Sequence, residues 1–153
     1  MAEAEAHRWP DDQPFGRSTH VASEQTPKRR ILEVAGIAHQ APIPQAVEIG
    51  GLVCSSAIFG ADPETGALPL DAGRQTALIF QHVRTLLEQA GSGPEAIAKM
   101  TIYVRDDAFR DHVNREWLAM FPDPDDRPAR HILRMDLRHE MLVQCEFIAV
   151  VGR

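Results

Sequence analysis

Cysteine occurs only twice in this chain of 153 residues, at Cys54 and Cys145, each inside an apolar run and neither at metal-ligand spacing. That pattern excludes a disulfide scaffold and a thiolate metal centre, and reads as two reduced core thiols in a cytosolic protein. No apolar stretch approaches the roughly 20 residues that span a bilayer, and the N-terminus lacks the apolar segment of a secretory signal. The expectation is a soluble, cytoplasmic protein with no membrane partner. Also missing are a glycine-rich phosphate loop, an H-E-x-x-H pair and a nucleophile elbow. Basic charge is in short supply: the net charge of −6 argues against a broad nucleic-acid surface, although it leaves room for a local basic pocket. What is present, 44% apolar residues in a chain of this length, suffices for the core of one globular domain.

Residues 1–29 are polar, aperiodic and rich in charges of both signs, and read as a flexible extension. A patterned domain, 30–153, follows. "ILEV" at 31–34 reads as a strand, and "AVEIGGLVCSS" at 46–56 as a hairpin turning on Gly50-Gly51. The turn-rich segment from Gly60 to Pro69 separates it from a helix with Asp71 as N-cap, a stripe of Ala77, Phe80, Val83 and Leu87, and Gly91 as its stop. "IAKMTIYVRD" reads as a strand with Met100, Ile102 and Val104 on one face. Asp106 or Asp107 would cap a second helix with the stripe Phe109, Val113, Trp117, Phe121, and strands at about 129–137 and 141–151 close the domain. The order β-β-β-α-β-α-β-β predicts a two-layer α+β domain with both helices on one sheet face. The last strand, "MLVQCEFIAVV", is apolar on both faces, so the uncovered face is a candidate for self-association.

The residues that carry chemistry stand on strands. Gln144 and Glu146 share one face of the last strand; Arg130, Ile132 and Arg134 share one face of the strand before it. A guanidinium fork matches a carboxylate bidentately. Arg130 therefore reads either as an anchor for a ligand carboxylate or as the partner of Glu146 in an internal ion pair.

Five segments in order, "APIPQAVEIGGLVCSSAIFGADPETGALP", "QTALIFQHVRTLLEQAGSGPEAIAKMTIYVRD", "FRDHVNREWLAMFP", "RPARHIL" and "CEFIAV", resemble the Rid (RidA/YjgF) family of reactive-intermediate imine and enamine deaminases over about 38–151. The resemblance implies a chorismate-mutase-like α+β fold, a homotrimer with a central barrel-like core, and active sites in the clefts between subunits. It implies hydrolysis of 2-imino or 2-enamino acids to 2-keto acids and ammonia, without metal or organic cofactor, with Arg130 of the P-A-R motif gripping the substrate carboxylate. Ser55, Gln45, Asn114, Trp117 and Ile43 match positions that line the family's site, with Gln45, Ser55 and Gln144 orienting the water and the leaving nitrogen and Glu146 assisting or holding Arg130.

The chain also departs from the family pattern. Ile43 stands where a tyrosine is usual, and Gln144 stands on the first glutamate of the E-I-E-A-I-A type of strand, leaving Glu146 on the second. A neutral amide holds water but cannot take its proton as a carboxylate does. The loop before the last strand is shorter than in those relatives, so Glu146 and Glu140 are the alternatives for that carboxylate. His131 alternates away from Arg130 and reads as structural. The rival to catalysis is a non-catalytic trimer that binds a carboxylate metabolite in the same clefts.

Overall fold

A computed structural model describes residues 28–152; the expected flexible extension lies outside the described residues up to position 27. Seven strands and two helices follow in the order β1 (Arg30–Leu32), β2 (Ala46–Ile49), β3 (Leu52–Ser55), β4 (Ile58–Phe59), α1 (Ala72–Gln89), β5 (Ile97–Val104), α2 (Arg110–Met120), β6 (Ala129–Arg134) and β7 (Val143–Val150). The strands form one sheet, ordered β1-β2-β3-β7-β5-β6, with β4 also paired to β7. All neighbours run antiparallel except β5 and β6.

Local chemistry sets these boundaries. Gly50 and Gly51 take φ of 60° and 86°, which lets two residues close the β2–β3 hairpin with Ile49 opposite Leu52. The Asp71 carboxylate accepts from the Arg74 amide at 2.7 Å and starts α1. At its far end Gly91, φ 77°, allows the Gly91 amide to reach Glu88 O and the Ser92 amide to reach Leu87 O, the paired bonds of a Schellman stop. Asp106 caps a single 3-10 turn, Asp107–Phe109, which feeds α2 one turn later than the sequence pattern implies. The two-residue β4 is an addition to the expected order, and β1, β5, β6 and β7 end short of their expected limits.

Side-chain alternation builds one core. On β7, Val143, Cys145, Phe147 and Ala149 are buried against the helices while Gln144, Glu146, Ile148 and Val150 face the other way. Met100, Ile102 and Val104 of β5 join the buried side, with Phe80, Val83, Leu86 and Leu87 from α1 and Val113 and Trp117 from α2. Both helices thus cover one face, as the pattern requires. The opposite face is open and apolar. Ile31 is 62% exposed, Leu52 41%, Ile148 42% and Val150 63%, and strand register places all four on that side. No helix among the described residues is long and apolar enough to cross a membrane.

Among the described residues His82 is the one buried imidazole. It is 2% exposed, with Nε2 2.8 Å from Ala61 O, so the neutral ring donates there. Burial pulls its pKa below the ordinary 6.5, an effect partly offset by the Ala61 carbonyl and by Asp62. Above 6.5 both folded and unfolded chains hold it neutral; below, the unfolded chain protonates first and stability falls. The limiting slope is about 1.4 kcal/mol per pH unit per site. Urea unfolding from pH 7 to pH 5 should therefore show a declining midpoint, and the His82→Gln variant should show a shallower decline. Parallel curves for the two proteins would contradict this assignment.

Candidate functional site

The candidate residues divide into two groups on opposite faces of the sheet. Arg130 pairs in register with Met100, and Glu146 with Thr101, the next residue along β5. Consecutive strand residues point to opposite faces, so Arg130 lies on the helix side and Glu146 on the open side. The internal Arg130–Glu146 ion pair is therefore excluded within one chain. His131, opposite Thr101, shares the open side with Glu146, as alternation required.

Arg130 sits on the edge strand β6 with its guanidinium carbon 4.7 Å from the centroid of the Trp117 ring. Such a cation–π contact is worth about 0.5–1 kcal/mol at an exposed site and orients the fork without neutralising it. Among the described residues it joins no ion pair, whereas Arg134, four residues on, reaches the Asp107 carboxylate at 4.0 Å. Partial burial, then the nearby Arg110 and Arg127 guanidiniums, pull the Arg130 pKa below the ordinary arginine value. This is a charged group in want of an anion. Trp117 is 5% exposed and acts as the platform for Arg130. Asn114 is exposed one turn before it on α2, within neighbour distance on the same helix face.

Ile43 and Gln144 meet elsewhere, in a cleft of about 390 Å³ whose wall includes His39, Phe59, Leu68 and Met141. The sequence pattern did not single out those four; they come from separate loops and from β4, where no periodicity operates. Phe59 lies opposite Gln144 across the β4–β7 ladder, and its ring stands edge-on to His39 at 5.6 Å. His39 Nε2 is buried without a partner, and desolvation lowers the ring's pKa, so the imidazole is neutral near pH 7. His139 completes the rim with a left-handed φ of 55°. The cleft lining contains no Asp, Glu, Lys or Arg.

Two buried polar side chains, Gln75 and Gln45, and the half-buried Arg105 fix the loops around this cleft. Gln75 donates to Pro69 O and Glu140 O at 2.7 and 2.9 Å and accepts from the Leu142 amide at 2.9 Å. Arg105 donates to Leu137 O and His139 O, both at 2.5 Å. Gln45, 6% exposed, accepts from the Val34 amide at 3.0 Å and donates to Ile37 O at 2.7 Å and, at 3.4 Å, to Val34 O.

Gln45, expected to orient the water and the leaving nitrogen, braces the backbone here. Its amide hydrogens are committed to backbone carbonyls, which leaves none to orient a water or a leaving nitrogen. Ser55 Oγ accepts from the Phe147 amide at 2.8 Å where the β3 ladder breaks off, and keeps its own O–H to donate. Glu146 accepts from the Tyr103 hydroxyl at 3.2 Å, in a hollow of the open face beside Lys99 and Thr101, one pleat from Gln144. Glu140 contributes its backbone carbonyl to Gln75.

The family model described as Endoribonuclease L-PSP matches residues 33–151. A RutC family protein of Aquifex aeolicus is 35% identical over 117 residues, covering 72% of this chain and 94% of that protein. A 2-iminobutanoate/2-iminopropanoate deaminase of Salmonella typhimurium is 31% identical over 111 residues, covering 71% and 87%. Among solved structures, the Rid family protein YyfA of Yersinia pestis is similar with a TM-score of 0.73 at 27% identity, covering 81% of this chain and 100% of that one. Escherichia coli TdcF with bound serine gives 0.72 at 27%, covering 80% and 99%. The chain belongs to the Rid/YjgF family, of which it is a divergent member.

The bracing role of Gln45 has a measurable signature. Gln45→Ala leaves a buried amide and a buried carbonyl unpaired, at about 1–3 kcal/mol each, so a loss of roughly 2–6 kcal/mol in unfolding free energy is expected by urea titration. A variant of unchanged stability but altered turnover would restore Gln45 to the reacting centre.

Proposed function

We propose that this protein hydrolyses 2-imino or 2-enamino carboxylates to the 2-keto acid and ammonia, at a site shared between copies of the chain in a homotrimer. The observation that carries the reading is Arg130, a guanidinium held face-on by Trp117 and left without an acidic partner among the described residues. Relatives about 30% identical bear the name 2-iminobutanoate/2-iminopropanoate deaminase, which supports the same chemistry.

In this reading Arg130 of one copy enters the cleft floored by Gln144 of the next and binds the substrate carboxylate through two N–H donors. The imine carbon, already electrophilic, then lies near Gln144, whose amide oxygen accepts from a water. The water oxygen adds to that carbon, the C=N electron pair passes to nitrogen, and the water's proton ends on the same nitrogen. Collapse of the carbinolamine forms the keto C=O and breaks the C–N bond as the hydroxyl proton also passes to nitrogen, which leaves as ammonia. No metal or organic cofactor is required by this balance. The apolar open face, with Val150 63% and Ile148 42% exposed, supports burial against further copies.

A second reading, a trimer that binds a carboxylate metabolite without turning it over, is favoured by the same cleft. It has Ile43 where the family usually has tyrosine, and no carboxylate among its lining residues. An RNA-cleaving role, which the family description carries in its name, has less support: the chain's net charge is −6.

Ammonia release from 2-imino acids generated in place, measured above the spontaneous rate, decides between catalysis and binding. Arg130→Ala should lower kcat/KM by about 100-fold or more, since charge-assisted bonds are worth roughly 1.5–3 kcal/mol each and each decade is about 1.4 kcal/mol. Arg130→Lys should recover part of it, and Arg134→Ala should matter far less. A folded and fully active Arg130→Ala protein would end the anchor role.

Light scattering should give a mass near three times 17.0 kDa. Ile148→Asp, which plants a charge on the open face, should dissociate the assembly and abolish turnover while the protomer stays folded. A stable monomer that deaminates would overturn the shared site.

A further inference from the structure

The deaminase reading leaves the substrate's own side chain unspecified, and the cleft constrains it. With the carboxylate on Arg130 and the imine carbon beside Gln144, the group on that carbon must run along the rest of the wall. The apolar part of that wall is Ile43, Phe59, Leu68 and Met141, with the neutral His39 ring set across Phe59 at 71°, while Gln40 and His139 add polar surface. Ile43 is 47% exposed, an apolar surface left bare at the rim. The space, about 390 Å³, falls within the roughly 300–1,000 Å³ of small-molecule sites.

Two chemical arguments follow. A methyl or ethyl group, as in the three- and four-carbon imino acids, leaves most of this wall facing water, whereas a branched aliphatic or aromatic group removes both surfaces from solvent. A charged side chain finds no counter-charge among the lining residues and is penalised by desolvation. We propose that the cleft selects 2-imino acids with a large apolar side chain, branched aliphatic or aromatic, over three- and four-carbon ones, and that Ile43, Phe59 and Met141 set the preference. This rests on the deaminase reading of the same site.

The test uses the full chain and imines made in place by an amino-acid oxidase from alanine, 2-aminobutyrate, leucine, phenylalanine and glutamate, with keto-acid formation followed above the spontaneous rate. The leucine- and phenylalanine-derived imines should show kcat/KM at least about tenfold above the alanine-derived one, the scale on which a hydrophobic pocket discriminates by one methylene or more. The glutamate-derived imine should fall below both. Ile43→Ala, at the exposed rim, should narrow the phenylalanine-to-alanine ratio by about fivefold. Equal rates for all, or a preference for the small imines, would overturn the selectivity and leave the deaminase reading intact. Acceleration of none would overturn the deaminase reading itself, and the selectivity with it.

Discussion

The amide of Gln75 holds three strands of chain together from a position with no solvent exposure, and the candidate cleft depends on it. One side chain at the start of α1 binds the segment before the helix and both sides of the turn into β7. Leaving any of these buried backbone groups unpaired costs about 1–3 kcal/mol, so the loop carrying His139 and Met141 has little freedom to leave. The packing around Gln75 is correspondingly close. A Cβ on Gly60 would stand 2.1 Å from Gln75 O, which makes glycine obligatory where β4 passes the helix. Arg105 and Gln45 repeat the device on neighbouring loops, so the wall of the cleft is built of irregular backbone held by buried and half-buried side chains.

The sheet imposes the second constraint. Because β6 joins β5 in parallel with Arg130 opposite Met100, its arginine projects to the helix side, while antiparallel β7 presents Gln144 and Glu146 on the open side. No rotamer carries a side chain through a sheet. A site that uses both Arg130 and Gln144 therefore draws them from two copies of the chain, and the bare apolar stripe of Ile31, Leu52, Ile148 and Val150 supplies a reason for copies to associate. Assembly and chemistry are coupled in the proposed trimer through one strand, β7, whose outward residues pass from polar, Gln144 and Glu146, to apolar, Ile148 and Val150.

Periodicity made the helices and the faces of β5 and β7 legible, because each is long enough for a stripe or an alternation to repeat. It did not reveal β4, whose two residues have no period to show. Alternation within β6 and β7 was read correctly, yet the Arg130–Glu146 pairing it left open depended on register between strands, which no single strand encodes. Gln45 shows a different limit. A polar residue in a motif-like segment reads as functional, while its partners, backbone groups of Val34 and Ile37, have no side-chain signature. His39, Phe59 and Met141 escaped for the same reason: their convergence is a property of loops held by Gln45, Gln75 and Arg105.

Gln144 then becomes a question of proton economy. In the proposed hydrolysis both protons of the water end on the departing nitrogen, one at collapse of the carbinolamine and one as the water adds, so no protein base is consumed overall. A carboxylate at this position would accept a proton in transit, a contribution usually worth about 10²–10⁴-fold. An amide retains the other component, fixing the water's oxygen against the imine carbon, and positioning alone is a large part of many rate enhancements. It also removes a negative charge that would face the substrate carboxylate across a cleft with no charged lining of its own. In the proposed site, Gln144 in place of the glutamate that the resemblance implies would therefore weaken proton transfer while easing the approach of an anion. Such a balance suits imines whose nitrogen is basic enough to take the proton directly.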